Sequence, residues 1–408
     1  MIGLITIAGE ACMMLYRTAL GQKLVASLGA AISYCSAAAG RLMLKDPRNH
    51  PYLPWMLLHG SLPPLLFWWA WSRYAVHGFE VSTMLAYHFI RLGPRFRFFA
   101  YHHVLIHKEG HDSKGLFKGP FVLLNHFNQF YAGLFYGSVP MSYPVAHNKI
   151  HHRWHNDVDD VHTNMDVDRT KFCNYILYLP RFFLYWTGVS PLVLFWKRGE
   201  FGLAKKIAGG MLYYYGAGLL IGLCIGWPFF FAYFVYPHFE AIAFLGAIAY
   251  LWHAFIQPED PENQYINSVT ILDGKDNIFN EDYHVVHHHC PHVHWTDIPA
   301  HYEATKDQYA ACNATIFRDT EEGELLYWLF TGQYDEMAAH FVDLNNKMTH
   351  EEKKALILTR LRFVLRSSDG RRFLAREPSS KDGKNEKAAS FSDWGTRAQR
   401  NWDTGKED

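Results

Sequence analysis

Long uncharged runs predict membrane-spanning helices in this chain. Residues 52–71, 210–236 and 241–256 contain no Asp, Glu, Lys or Arg. A helix needs about 20 apolar residues to cross the hydrocarbon core of a bilayer, and the prolines of 52–71 predict a kink in that span. The other two runs flank residues 237–240, so we expect a membrane hairpin that turns there.

Weaker apolar runs and a polar last third complete the predicted architecture. Residues 24–40, 79–90 and 182–196 could each span the membrane or lie on its surface. In the last third no long apolar run returns, and Thr349 with Glu352 has the pattern of a capping box at the start of a helix. We therefore predict an all-α fold: a polytopic membrane helical bundle of about four spans with a cytosolic helical cap.

Composition narrows the class of protein. Lys plus Arg and Asp plus Glu are both 39, which leaves no positive excess to neutralise nucleic-acid phosphates. Charged residues are 19% of the chain, against roughly 25% in soluble domains. The six cysteines are scattered without a CxxC pair, unlike a disulfide framework or a thiolate zinc site. These features predict a membrane protein with no nucleic-acid partner.

The distribution of basic residues predicts an orientation. Lys and Arg accumulate in cytoplasmic loops beside membrane helices, and residues 108–171 are rich in both, whereas 237–240 has neither. The histidine-rich segments should therefore face the cytoplasm. Residues 119–146 must then be interfacial or re-entrant, because one crossing would separate His111 from His147.

Histidine is the residue that indicates chemistry. The chain has 25, and sixteen of them lie in residues 102–162 and 284–294. Three motifs, HKEGH, HNKIHH and HVVHH, repeat the spacings that put side chains on one face of a helix. His152 is the exception: it should point to a neighbouring face and reach a different metal from His147 and His151. The motifs contain His107 and His111; His147, His151 and His152; and His284, His287 and His288.

The histidine side chains of these motifs predict a centre with two transition-metal ions. Imidazole favours iron, zinc or copper over magnesium or calcium. Eight clustered histidines exceed the four ligands of a tetrahedral zinc and suit two irons with positions open for oxygen. A soluble carboxylate-bridged di-iron bundle needs two ExxH motifs, and the chain offers one, at Glu281 and His284.

The order HxxxH, HxxxHH and HxxHH, with apolar spans between the second and third motifs, resembles the membrane fatty acid desaturase and hydroxylase superfamily. The resemblance covers residues 50–300, and the second motif is similar to that of membrane alkane hydroxylases. It implies an all-histidine di-iron centre that uses O2, with one further ligand from the end of the last span, where His253 stands. The implied iron ligands are His107, His111, His147, His151, His152, His253, His284, His287 and His288.

The resemblance implies O2-dependent desaturation of a fatty acyl or lipid chain, with hydroxylation as the alternative. A histidine-rich metal transporter and a non-catalytic metal-binding scaffold are alternatives from other classes. No HPGG motif of a fused cytochrome b5 is present, so we expect electrons from a separate donor of the cytochrome b5 or the ferredoxin and rubredoxin type. The protein should be integral to the endoplasmic reticulum membrane in a eukaryote, or to the inner membrane in a bacterium.

The chain then divides into four predicted regions. Residues 1–50 form an amphipathic or membrane-associated segment, 51–300 a desaturase-like catalytic domain, 301–377 a cytosolic helical region and 378–408 a disordered tail. Histidines beside the motifs should have supporting or local roles, and the acidic run should be a solvated loop. The histidines are His102, His103, His126, His155, His162, His289, His292 and His294; the acidic run is Asp157, Asp159, Asp160, Asp166 and Asp168.

Overall fold

The computed structural model describes residues 18–157 and 159–365. Helices dominate, as the all-α prediction requires. The N-terminal residues 1–17 and the predicted tail at 378–408 lie outside the described residues. The α-helices are α1 Ala19–Met43, α2 Tyr52–His77, α3 Val81–Leu92, α4 Arg97–His111, α5 Gly133–Tyr136, α6 His152–Trp154, α7 Phe172–Trp186, α8 Val189–Lys197, α9 Phe201–Cys224, α10 Trp227–Phe230, α11 Tyr236–Trp252, α12 His284–His289, α13 Ile298–Ala311, α14 Glu322–Thr331, α15 Tyr334–His340 and α16 His350–Arg362.

The described chain folds into two compact units. Within the described residues, the first comprises the chain up to Ser138 together with Tyr214–His238, and the second comprises Val139–Tyr213 and the chain from Phe239 onwards. In the first unit α2 contacts α3 and α4. Aromatic side chains fill its core, where Tyr87, Phe229 and Tyr233 are fully or nearly fully buried.

Two helices of the described chain are long and apolar enough to cross a membrane, α9 and the continuous stretch Trp227–Trp252. The predicted position of the turn between them is wrong. Residues 237–240 lie inside this continuous helical stretch, where Pro237 comes two residues after the π-helical turn at Phe231–Val235. The chain breaks instead at Gly226, whose φ of 136° is open to glycine and costly for other residues. The bundle of about four spans and its cytosolic cap stay predictions.

Residues 119–146 contain no helix long enough to cross a bilayer, in keeping with the expected interfacial or re-entrant segment. They form a 3₁₀ stretch at Gly119–His126, a π-helical turn at Asn128–Ala132, the short α5 and the start of a π-helix at Ser142–His151. The apolar run 182–196 is likewise divided between α7 and α8. Its break is at Gly188, which adopts a φ of 86°.

The second unit joins the polar last third to the segment that follows HNKIHH. Strand β1 (Thr270–Leu272) pairs in parallel with β2 (Ile316–Arg318), with Thr270 opposite Ile316. Helix α16 begins at the predicted capping box, because Thr349 accepts from the Glu352 backbone N–H and Glu352 accepts in return. The buried guanidinium of Arg169 donates to the carbonyls of Ala254 (3.0 Å) and Arg360 (2.8 Å). Helix α16 is thereby fixed beside the residues that follow α11.

Candidate metal centre

Four histidines of the second unit converge on one buried point. His284 and His288 are one turn apart on α12, and their Nε2 atoms lie 3.0 Å apart. His253, the residue after α11, places its Nε2 atom 3.2 Å from that of His284. His151 completes this group, in which one nitrogen of each ring lies within 4.8 Å of the others. We call His151, His253, His284 and His288 the four-histidine cluster.

A second group of imidazoles lies in the same unit. The Nε2 atom of His152 is 3.0 Å from the Nε2 atom of His147 and 3.0 Å from that of His287. We call His147, His152 and His287 the three-histidine cluster. Helix α12 thus contributes to both clusters: its i, i+4 pair belongs to one, and His287 belongs to the other.

The partition of HNKIHH differs from the sequence-based expectation. The spacing predicts that His147 and His151 act together and that His152 reaches elsewhere. In the structure His147 pairs with His152, and His151 joins the four-histidine cluster. The reason is the π-helix at Ser142–His151, whose hydrogen bonds join residues five apart rather than four. This wider turn aligns residues five apart and directs the intervening His151 elsewhere.

The first motif lies in the first unit, at the end of α4. His107 and His111 are one helical turn apart, as predicted, and their Nε2 atoms are separated by 3.1 Å. Between them, Glu109 accepts from the backbone N–H (3.0 Å) and side-chain amide (2.8 Å) of Asn128 and from the Gln129 N–H (3.3 Å). Burial raises the pKa of Glu109 to about 7, and these hydrogen bonds oppose the rise. The helix end is thus fastened to the π-helical turn at Asn128–Ala132.

Hydrogen bonds on the Nδ1 side orient three rings of the four-histidine cluster. Their Nδ1 atoms lie 2.7 Å from Asp160 Oδ2 for His151, 2.6 Å from the Asn267 carbonyl oxygen for His253, and 2.8 Å from His155 Nδ1 for His288. An imidazole that donates from Nδ1 has its lone pair on Nε2, which is the form that binds a metal. The imidazole nitrogens available as ligands therefore fit a nitrogen-preferring transition metal.

Burial keeps two histidines of this region in the neutral form. The pKa values of His155 and His288 are held well below the ordinary histidine value by burial, reinforced by the neighbouring histidines. Neutral imidazole is the ligand form, since a protonated ring has no lone pair to offer. The cluster is also nearly inaccessible to water, because His253 and His288 are 2% and 1% exposed.

The structure adds groups that the sequence analysis missed and corrects one interpretation. Asp160 is not part of a solvated loop: its side chain is buried against His151 and His162. Asp166 of the same acidic run is exposed and pairs with Arg181 at 2.6 Å. His155 has the supporting role allowed for it, while Asn267 contributes a backbone carbonyl that no side-chain pattern could reveal.

Comparison with known proteins gives the family. Residues 82–320 match the model of the fatty acid desaturase family, which is more than half of the chain. No curated protein and no solved structure matches the chain significantly. The chain belongs to the fatty acid desaturase family, and the resemblance drawn from its histidine motifs is confirmed.

Membership assigns the general class of activity. The protein is an oxidoreductase of the fatty acyl desaturase and hydroxylase type, with a lipid substrate and a membrane context. The two long apolar helices are consistent with that context.

Proposed function

We propose that the chain is an integral membrane di-iron oxygenase that introduces a double bond into a fatty acyl or lipid chain with O2. The observation that carries the proposal is the four-histidine cluster, whose ring nitrogens lie within 4.8 Å of one another inside the family-matched region. Imidazole nitrogens suit iron, and hydrogen bonds already hold three of the rings in place.

The proposed ligand set uses all nine predicted histidines. The four-histidine cluster is proposed to hold one iron and the three-histidine cluster the other. His107 and His111 are the further iron ligands that the family resemblance implies. The two irons, when bound, supply the activation of O2 and the removal of hydrogen from an unactivated carbon. Support comes from the short Nε2 separations within each group.

The protein's own residues have three tasks in this reaction. They keep the rings of His253 and His288 neutral by burial, they fix three rings through Nδ1 hydrogen bonds, and they exclude water from the oxidising site. Exclusion of water protects a reactive centre from side reactions. Because O2-dependent desaturation consumes two electrons and the chain has no cytochrome b5 motif, we propose a separate donor of the cytochrome b5 or the ferredoxin and rubredoxin type.

The site is proposed to face the cytoplasm, in the endoplasmic reticulum membrane of a eukaryote or the inner membrane of a bacterium. Support comes from the basic residues around the histidine motifs. A metal transporter is disfavoured, because transporter sites lie near the bilayer midplane. The segments that contribute histidine motifs, α4, the π-helix at Ser142–His151 and α12, are separate from both candidate spans.

Hydroxylation is the second candidate, favoured by the likeness of HNKIHH to the second motif of membrane alkane hydroxylases. Purified protein supplied with a reduced electron donor, acyl substrate and isotopically labelled O2 distinguishes the two outcomes by mass spectrometry. Desaturation gives a product two hydrogens lighter without label. Hydroxylation gives a product with one labelled oxygen atom, which would replace the first proposal, and the absence of any O2-dependent product would remove both.

A further inference from the structure

Asp160 is a buried carboxylate in direct contact with one proposed iron ligand. Its side chain is 1% exposed, and its Oδ2 atom lies 2.7 Å from Nδ1 of His151. The same oxygen accepts the backbone N–H of Asn156 at 3.1 Å, and Oδ1 accepts that of His162 at 3.3 Å. A buried carboxylate is costly unless hydrogen bonds compensate it, and both oxygens here have partners.

The loop that holds Asp160 is itself braced. Asn156 donates from its side-chain amide to Asn164 Oδ1 at 2.9 Å, and the Asn164 backbone N–H donates to Asn156 Oδ1 at 3.0 Å. Asn164 also donates to the Tyr250 carbonyl on α11 at 2.9 Å. Asn156 occupies the left-handed region, with a φ of 64°, which asparagine tolerates better than most residues. The position of the carboxylate is therefore set by the fold.

We propose that Asp160 is a positioning residue of the metal centre, which fixes the tautomer of His151 and strengthens it as an iron ligand. Because the carboxylate accepts the Nδ1 proton, the lone pair is left on Nε2, the atom available to the metal. The negative charge also makes the imidazole a more basic donor. The inference rests on the proposed di-iron function and gives this acidic residue a part in it.

The charge distinguishes Asp160 from the other groups on the Nδ1 side. His253 is supported by the neutral carbonyl of Asn267, and His288 by the neutral ring of His155, which in turn contacts Ser268 Oγ at 3.0 Å. Replacement of an outer partner of a metal-binding histidine lowers metal affinity or activity by about 10–100-fold. We expect a loss of this size at the four-histidine cluster when the charge of Asp160 is removed.

The test is iron retention in Asp160→Asn, a change that conserves side-chain shape. Wild-type protein and variant are purified gently with iron, exposed to a graded chelator, and compared by iron per chain and by Mössbauer spectroscopy. We expect the variant to lose one iron at about 10–100-fold lower chelator concentration than the wild type, with a changed signal from that iron. Neither readout depends on turnover.

Two further variants separate positioning from a purely structural role. Asp166→Asn removes a carboxylate of the same acidic run that pairs with Arg181 and is partly exposed, and it should retain iron like the wild type. Asp160→Glu keeps the charge and should retain iron better than Asp160→Asn at a similar melting temperature. Wild-type iron retention and spectrum in folded Asp160→Asn would overturn the inference, and so would failure of both Asp160 variants to fold. Absence of iron from the wild type would instead refute the proposed function.

Discussion

At the scale of single residues, the candidate ligand histidines were predicted from the sequence, whereas their hydrogen-bond partners were not. The three motifs stand out because imidazoles at helical intervals have no packing explanation, whereas His253 was implied by the family resemblance. Asp160 and Asn267 gave no signal, because each supports its histidine through the folding of a loop rather than through a pattern in the sequence. The acidic run also mixes the buried Asp160 with the exposed Asp166.

A substitution within the four-histidine cluster tests the ligand assignment. Loss of an outer partner of a metal-binding histidine lowers activity by about 10–100-fold. We expect His288→Ala to lower product formation by more than this, because it removes a proposed direct ligand. His292→Ala, at an exposed position just beyond the third motif, is the matched control and should stay active. Product is measured by mass spectrometry in membranes with equal amounts of inserted protein. Full activity of His288→Ala would contradict the assignment.

At the scale of elements, helix type and helix ends were harder to predict than helix existence. The sequence predicted α16 and its capping box correctly, because that signal is local. It misplaced the break between the two long apolar helices. The proline at 237 favoured a turn there, whereas the helix continues through Pro237 and the chain breaks at Gly226. The π-helix at Ser142–His151 was also missed, and with it the partition of His147, His151 and His152.

The capping box of α16 gives a prediction about stability without an effect on the metal. Thr349→Ala removes the side-chain acceptor of the Glu352 N–H, and we expect it to lower the free energy of unfolding by about 1 kcal/mol. Thr359→Ala, on the exposed side of the same helix, removes a hydroxyl that donates only to the carbonyl one turn earlier and should change it much less. Thermal unfolding measures both. An unchanged stability in Thr349→Ala would show that the box contributes nothing.

At the scale of the whole molecule, the family, the helical fold and the membrane context followed from the order of motifs and apolar runs. The sidedness is a prediction from the positions of Lys and Arg. If the histidine motifs share the cytoplasmic side, residues 114 and 171 lie on that side too, and both side chains are exposed.

Cysteine labelling tests this topology. Lys114→Cys and Lys171→Cys are made in a variant that lacks the six native cysteines and are treated with an impermeant thiol reagent in sealed, oriented vesicles. We expect both to react from the cytoplasmic side. Labelling from opposite sides would contradict the predicted topology, because a crossing would then separate HKEGH from HNKIHH.

The iron content of the gently purified, iron-replete protein tests the central claim most directly. Nine candidate histidine ligands exceed the needs of one metal, so metal analysis should give about two irons per chain, and Mössbauer spectroscopy should show both. A single tightly held zinc in place of iron would contradict the di-iron centre.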